Sequence, residues 1–225
     1  MTASDRYAVV GDVHGDVVRL TRLLTLLSED KDRTVIFTGD YVNRGPSSSQ
    51  VLTALIDAQT TFRRLLLLAG NHELAMLEYL NTGCLPPFAA HGGMATIRSY
   101  VLAPHGDVHA QLRSALPAQH EHLLNDGLLT YFEDDHLLVS HTGYNSLAPY
   151  DRSVAQMTTS PHPNLFADPV ARSRRPRPTV VFGHYVQRSG IPWAADGLYC
   201  LDTGCGTLGG DLTALLLPEH SFITV

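Results

Sequence analysis

The chain is predicted to fold in the α/β class, as a central β-sandwich of two mixed sheets flanked by helices, and three observations predict it. Three short apolar runs, at 7–10, 34–38 and 65–69, each end in a glycine-led turn. Amphipathic helical patterns fill the two intervals between them. From Gly127 onward a second series of strand-length runs follows, enough to build another sheet.

The elements follow in order. The runs at 7–10, 34–38 and 65–69 are aliphatic and short, as buried strands are. Between the first two, 16–27 places Val17, Leu20, Leu23, Leu24 and Leu27 on one face at helical spacing, and 48–58 repeats the pattern behind a Pro46-Ser47 start. This alternation is the rhythm of parallel βαβ units, whose functional residues collect at the carboxyl ends of the strands. The stretch 73–126 is mostly helical by pattern, interrupted at Pro86-Pro87 and Pro104, and is expected to form a cap beside the site. Residues 128–132, 136–140, 179–182, 197–201, 212–217 and 222–225 read as strands of the second sheet. The proline- and arginine-rich stretch 158–178 reads as an irregular surface loop. No internal repeat or low-complexity block occurs, and at 225 residues with 44% hydrophobic and 17% charged side chains the expectation is one domain spanning 1–225.

A formal charge of -6 argues against a binder of nucleic-acid polymers or anionic membranes, although carboxylates gathered around metal ions would be neutralised locally. The first residues, 1–6, carry no basic segment leading into a long apolar core, and the run at 65–69 is far shorter than a membrane span. Cys84, Cys200 and Cys205 form no Cys-x-x-Cys pair. A cytoplasmic protein with reduced thiols is expected.

Four motifs carry the chemistry: Gly11-Asp12-Val13-His14-Gly15, Gly39-Asp40-Tyr41-Val42-Asn43-Arg44-Gly45, Gly70-Asn71-His72-Glu73 and Gly183-His184, each behind a strand-like run. Carboxylate and amide oxygens mixed with imidazole nitrogens suit Mn²⁺, Fe or Zn²⁺, and donors drawn from several strand ends can hold two ions close together.

The order and intervals of these motifs resemble the PPP-type phosphoprotein phosphatases within the calcineurin-like metallophosphoesterases, over nearly the whole length. The segment Gly92-Gly93-Met94-Ala95-Thr96-Ile97-Arg98-Ser99-Tyr100 and the tail Leu201-Asp202-Thr203-Gly204-Cys205 with Gly209-Gly210-Asp211-Leu212-Thr213-Ala214-Leu215 look like those of the small bacterial members. The resemblance implies a calcineurin-like fold and two divalent ions per chain, Mn²⁺ first, with Fe or Zn²⁺ as alternatives. Asp12, His14 and Asp40 would hold the first ion; Asp40 would bridge to a second held by Asn71, His141 and His184. The literal His-Gly-Gly of the family stands at His91-Gly92-Gly93, but His141 directly follows the buried-strand pattern 136–140, whereas His91 opens a helical segment. Position favours His141.

The resemblance also implies that Arg44 and Asn71 contact the phosphoryl group and that His72 protonates the leaving oxygen. Two departures stand out. Asn43 occupies the place of the Asp that usually orients and charges this histidine, so His72, Arg44 and Asn43 form a catalytic set with a weakened acid. No arginine aligns with the second phosphate-binding arginine of bacterial relatives: Arg172, Arg174, Arg175 and Arg177 either reach the site from their loop or remain a solvated basic surface. Tyr185, where a Thr is more usual, either borders the substrate or packs, and is counted here as a binding residue.

The expected activity is hydrolysis of phosphate monoesters by a metal-bridging hydroxide, with phosphoserine and phosphothreonine as first substrates and a protein or small molecule as the phosphorylated partner. The alternatives are dinucleoside polyphosphates, as in the symmetrical dinucleoside tetraphosphatases, and nucleotide, sugar or metabolite phosphates. Glu73 points to protein phosphatases and Asn43 to phosphoanhydrides. A binding module that merely kept the fold predicts lost ligands, and all six expected positions are present.

Overall fold

The computed structural model describes residues 6–225. The reading of the chain's start falls on 1–5 and lies outside the described residues. Strands β1 (Tyr7–Val10), β2 (Thr34–Phe37) and β3 (Arg64–Leu67) run parallel, joined by helices α1 (Val17–Leu27) and α2 (Ser48–Thr61). Helices α3 (Asn71–Thr82), α4 (Leu85–Ala90), α5 (Gly93–Tyr100), α6 (Val108–Ala115) and α7 (Ala118–His122) follow. Then come β4 (Tyr131–Glu133), β5 (Leu137–Ser140), α8 (Asn164–Ala167), α9 (Pro169–Ser173), β6 (Thr179–Phe182), β7 (Trp193–Ala195), β8 (Leu198–Cys200), β9 (Thr213–Leu217) and β10 (Ser221–Thr224).

Two mixed sheets result, ordered β10-β9-β1-β2-β3 and β4-β5-β6-β8-β7. Each contains a parallel trio: β1-β2-β3 in one, extended beyond β1 by antiparallel β9 and β10, and β5-β6-β8 in the other, flanked by antiparallel β4 and β7. The pleat sorts the apolar side chains into layers. Val9, Ile36, Val139, Val181 and Leu215 face each other between the sheets. Ala8, Val10, Val35 and Phe37 point the other way, into a cluster shared with Leu20, Leu23, Leu52 and Leu55 of α1 and α2. On the far side, Leu138, Val180 and Phe182 pack with Tyr144, Leu165 and Ala171. Because both faces of each sheet are covered, the central strands read as unbroken apolar runs.

Three expectations need correction. The stretch 158–178 is no irregular surface loop: Asp168 caps α9, which begins with Pro169, and buried Leu165 and Ala171 seat α8 and α9 on the second sheet. The strand expected at 128–132 starts at Tyr131 instead, because Leu129 extends the first sheet: its N–H donates to Leu67 O and its carbonyl accepts from Ala69 N, both at 2.8 Å. Strands β9 and β10, expected in the second sheet, belong to the first, where β9 pairs antiparallel with β1 and β10 with β9; strand β7 was not expected. As for 73–126, Phe88, Ile97, Leu112 and Leu123 join the same cluster as α2, so the helices thicken the outer layer and bring the start of α3, the turn at His91-Gly92 and Thr96 of α5 to the site. Among the described residues, no helix is long and apolar enough to cross a membrane.

Candidate metal centre

The expected residues sit at the carboxyl ends of both parallel trios. Asp12 and His14 leave β1, Asp40 leaves β2, Asn71 opens α3 after β3, His141 follows β5 and His184 follows β6. The first two turns interlock, with His14 N donating to Asp40 O at 2.9 Å, Gly15 N to Tyr41 O at 2.8 Å and Gly45 N to His14 O at 3.1 Å. Five residues here, His14, Asp40, Asn43, Arg44 and His184, have φ between 44° and 71°, the left-handed region that non-glycine residues avoid. Strain of this kind costs on the order of 1–3 kcal/mol per residue and persists where the surroundings enforce it, typically at functional sites.

The donor atoms converge in two groups around Asp40. Asp40 Oδ2 lies 3.6 Å from His14 Nε2, and that nitrogen is 4.0 Å from Asp12 Oδ2. Asp40 Oδ1 lies 3.4 Å from His141 Nε2. Asn71 Oδ1 is 3.0 Å from both His141 Nε2 and His184 Nδ1, which are 3.1 Å from each other. Outer partners fix the rings: His14 Nδ1 donates to Val42 O and His141 Nδ1 to Thr38 O, leaving both Nε2 lone pairs turned inward. Gly183 makes the close approach of the sheets possible, since a Cβ there would fall 1.9 Å from Asp12 Oδ1.

This donor set fits divalent cations. Asp12, His14, Asp40 and His141 are each at most 2% exposed, so water cannot satisfy the converging lone pairs. Burial holds His14 and His184 at about 4, in the neutral form a metal requires. Burial also works against charge on His141, yet Asp40, Asp12 and Glu73 draw a proton onto it and raise it to about 9. A cluster that pulls a proton onto a buried imidazole favours positive charge at that point. Burial pushes Asp40 upward, but His141, His72 and His14 outweigh it and hold it well below the usual carboxylate range.

The remaining expected residues divide. Arg44 Nη1 stands 3.1 Å from His14 Nε2, beside the converging donor atoms. Burial keeps His72 neutral, at about 3, despite its Nε2 lying 3.7 Å from Asp40 Oδ2. The Asn43 amide donates to His72 Nδ1 at 3.0 Å, while Thr96 Oγ1 donates to Asn43 Oδ1 at 2.8 Å. With Nδ1 accepting, the proton sits on His72 Nε2, which makes that atom a donor rather than a ligand. Of the two alternatives for Tyr185, its contacts are those of packing: its hydroxyl donates to Thr142 O and accepts from His162 N, and its ring lies edge-on to His184 and packs on Phe166 and Phe182. The arginines of 172–177 are engaged elsewhere, Arg172 with Asp196, Arg174 with Ser146 O, Arg175 with Pro178 O and Arg177 with Glu133. His91 bonds its own helix carbonyl at Pro87 and stacks edge-on against His72, lining a groove with Asn71, Leu74, Glu78 and His184.

Three residues of the site were missed. Glu73 is buried beneath it and accepts the N–H groups of Asp40, Tyr41, Val42 and Gly70 at 2.8–3.1 Å. Thr96 holds Asn43. Asp202, just past β8, is fully buried beside Asp12, and burial raises it to about 6. Its position directly behind a strand pattern was the available signal.

A calcineurin-like phosphoesterase model matches residues 6–202. An asymmetrical bis(5'-nucleosyl)-tetraphosphatase PrpE of Bacillus velezensis is 24% identical over 97% of this chain and 92% of its own length. A provisionally assigned serine/threonine-protein phosphatase of Caenorhabditis elegans is 39% identical over 29% of this chain and 18% of its own length. A solved structure provisionally assigned as a diadenosine tetraphosphatase superposes with a TM-score of 0.64 at 23% identity, covering 100% of this chain and 94% of that one.

Proposed function

The chain belongs to the calcineurin-like phosphoesterase family, and on that premise we propose that it is a dinuclear metal-dependent phosphohydrolase whose preferred substrates are phosphoanhydrides, dinucleoside polyphosphates foremost. Asp12, His14 and Asp40 would hold one ion; Asp40, Asn71, His141 and His184 would hold the other. Two divalent ions there, Mn²⁺ first, would supply Lewis acidity toward the phosphoryl oxygens and lower the pKa of water in the site. Arg44 grips the phosphoryl oxygens with its planar fork, adding fixed positive charge where the transition state is most negative. His72 donates from Nε2 to the leaving oxygen.

The Asn43–His72 pair carries the choice of substrate. An amide N–H directed at Nδ1 opposes a second proton on the ring, so His72 acts as a neutral imidazole, a weak acid. A serine alkoxide needs strong protonation to leave. A phosphoanhydride oxygen does not. The feature that favoured protein phosphatases loses its force: Glu73 binds four backbone N–H groups and faces away from solvent, so its length answers to the turn it braces. The likeness to the tetraphosphatase of B. velezensis along nearly both chains supports the same reading. Phosphoserine and phosphothreonine hydrolysis is the second reading, favoured by the local likeness to the C. elegans phosphatase. Three free thiols are in keeping with a cytoplasmic setting.

Phosphate release with Mn²⁺ across dinucleoside polyphosphates, nucleotides, phosphopeptides and sugar phosphates tests the proposal. Higher kcat/KM on anhydrides is expected, and a phosphopeptide leading the panel would replace it with the second reading. Glu73→Asp separates bracing from recognition. The shorter side chain should leave at least one buried N–H without a partner, costing about 1–3 kcal/mol and lowering Tm by several degrees, with the substrate ranking unchanged. A reversed ranking would return Glu73 to the specificity argument.

A further inference from the structure

Asp202 has no place in the ligand set above, yet among the described residues it carries the one carboxylate oxygen that is buried without a hydrogen-bond partner. Its Oδ1 accepts from Gly204 N at 3.1 Å, while its Oδ2 is buried and has no hydrogen-bond partner. The residue is fully buried, and its backbone is pinned: Asp202 O accepts from Gln187 N at 2.7 Å, and Leu201 N donates to Phe182 O at 2.9 Å. The second sheet delivers it against the Asp12 turn. A Cβ on Gly11 would fall 2.4 Å from Leu201 O, so the absence of a side chain at Gly11 lets this segment close onto the end of β1. Asp202 is within electrostatic reach of Asp12, Asp40, Arg44 and His141.

A fully buried carboxylate oxygen without a partner, next to a second carboxylate, is costly on its own, and a cation is what offsets such a cost. The two ions are unequally served. The set of Asp40, Asn71, His141 and His184 offers four side chains, whereas Asp12, His14 and Asp40 offer three. We propose that Asp202 is a further carboxylate of the metal centre, whose free Oδ2 serves the ion held by Asp12, His14 and Asp40. This rests on the two-ion reading given above. Asp202 then trades stability of the metal-free protein for affinity toward one particular ion.

Asp202→Asn keeps an acceptor for Gly204 N and removes the charge. Protein stripped with a chelator and titrated with Mn²⁺ by calorimetry should bind two ions in the wild type. In Asp202→Asn, one ion should bind as before and the other about 10–100-fold more weakly, the range by which losing a supporting carboxylate lowers metal affinity. At two equivalents of Mn²⁺, the electron paramagnetic resonance signal of a coupled pair should give way to that of isolated Mn²⁺. Metal-free Asp202→Asn should melt at the wild-type temperature or above it. Asp202→Ala, which also loses the Gly204 bond, should show the same selective loss of one ion with a lower melting temperature. Two ions bound at wild-type affinity by folded Asp202→Asn, or equal weakening of both with a depressed metal-free Tm, would overturn the proposal. A wild type that binds fewer than two ions would instead overturn the two-ion reading itself.

Discussion

Asp40→Asn is expected to lower turnover by roughly 10³-fold or more, beyond the 10²–10³ lost with a single transition-state donor, and to weaken both ions together. The reason is the division of its two oxygens. Oδ2 faces His14 and Oδ1 faces His141, so one neutralised carboxylate is felt in both donor groups. The fold should survive, because asparagine tolerates the left-handed φ of 56° at this position and brings no buried charge. Metal analysis and a melting curve alongside the rate would separate the effects, and near wild-type activity with two ions bound would remove Asp40 from its bridging role. In the same assay, His141→Ala should abolish activity with loss of one ion. His91→Ala should keep both ions, since His91 bonds its own helix and touches the centre only through the His72 ring. Greater loss for His91 would reverse the ligand choice.

What was legible in the sequence is what a strand end dictates. Asp12, Asp40, Asn71, His141 and His184 each follow an unbroken apolar run, and burial on both faces makes such runs conspicuous. Asp202 obeys the same rule behind β8 and was passed over, because its resemblance was that of a closing strand rather than a ligand motif. The hairpin of β7 and β8 was also within reach. Asp196-Gly197 carries φ values of 51° and 80°, the turn that an Asp-Gly pair signals between strands. Its first strand, Trp193–Ala195, is too short to show alternation.

Other features were not encoded locally. The direction of Tyr185 depends on the left-handed turn at His184, which sends the phenol to Thr142 and His162 instead of the substrate space. Glu73 looked like a substrate signal because its motif is contiguous with ligands, yet its partners Asp40, Tyr41 and Val42 lie more than thirty residues away in sequence. The helices at 164–173 were hidden because prolines dominate the composition, and only the packing of Leu165 and Ala171 against the second sheet gives them order.

Asn43→Asp should raise turnover of alkyl phosphates such as phosphoserine more than turnover of aryl phosphates or phosphoanhydrides. The substitution keeps the local geometry, since aspartate also tolerates the φ of 71° and one oxygen can go on accepting from Thr96 Oγ1. The other oxygen then faces His72 Nδ1 as an acceptor where the amide was a donor. That reverses the tautomer constraint and lets the ring carry a second proton, making it a stronger acid toward the leaving oxygen. General acids contribute about 10²–10⁴-fold in rate, and a gain on the order of 10-fold for an alkyl leaving group is a modest part of that range. Anhydride leaving groups depart with little protonation and should gain almost nothing. The gain should therefore grow with leaving-group pKa, read as the ratio of kcat/KM between the two proteins across a leaving-group series at matched Mn²⁺. A flat ratio would mean that proton donation by His72 is not limited by Asn43, and the preference for phosphoanhydrides would lose the observation that carries it.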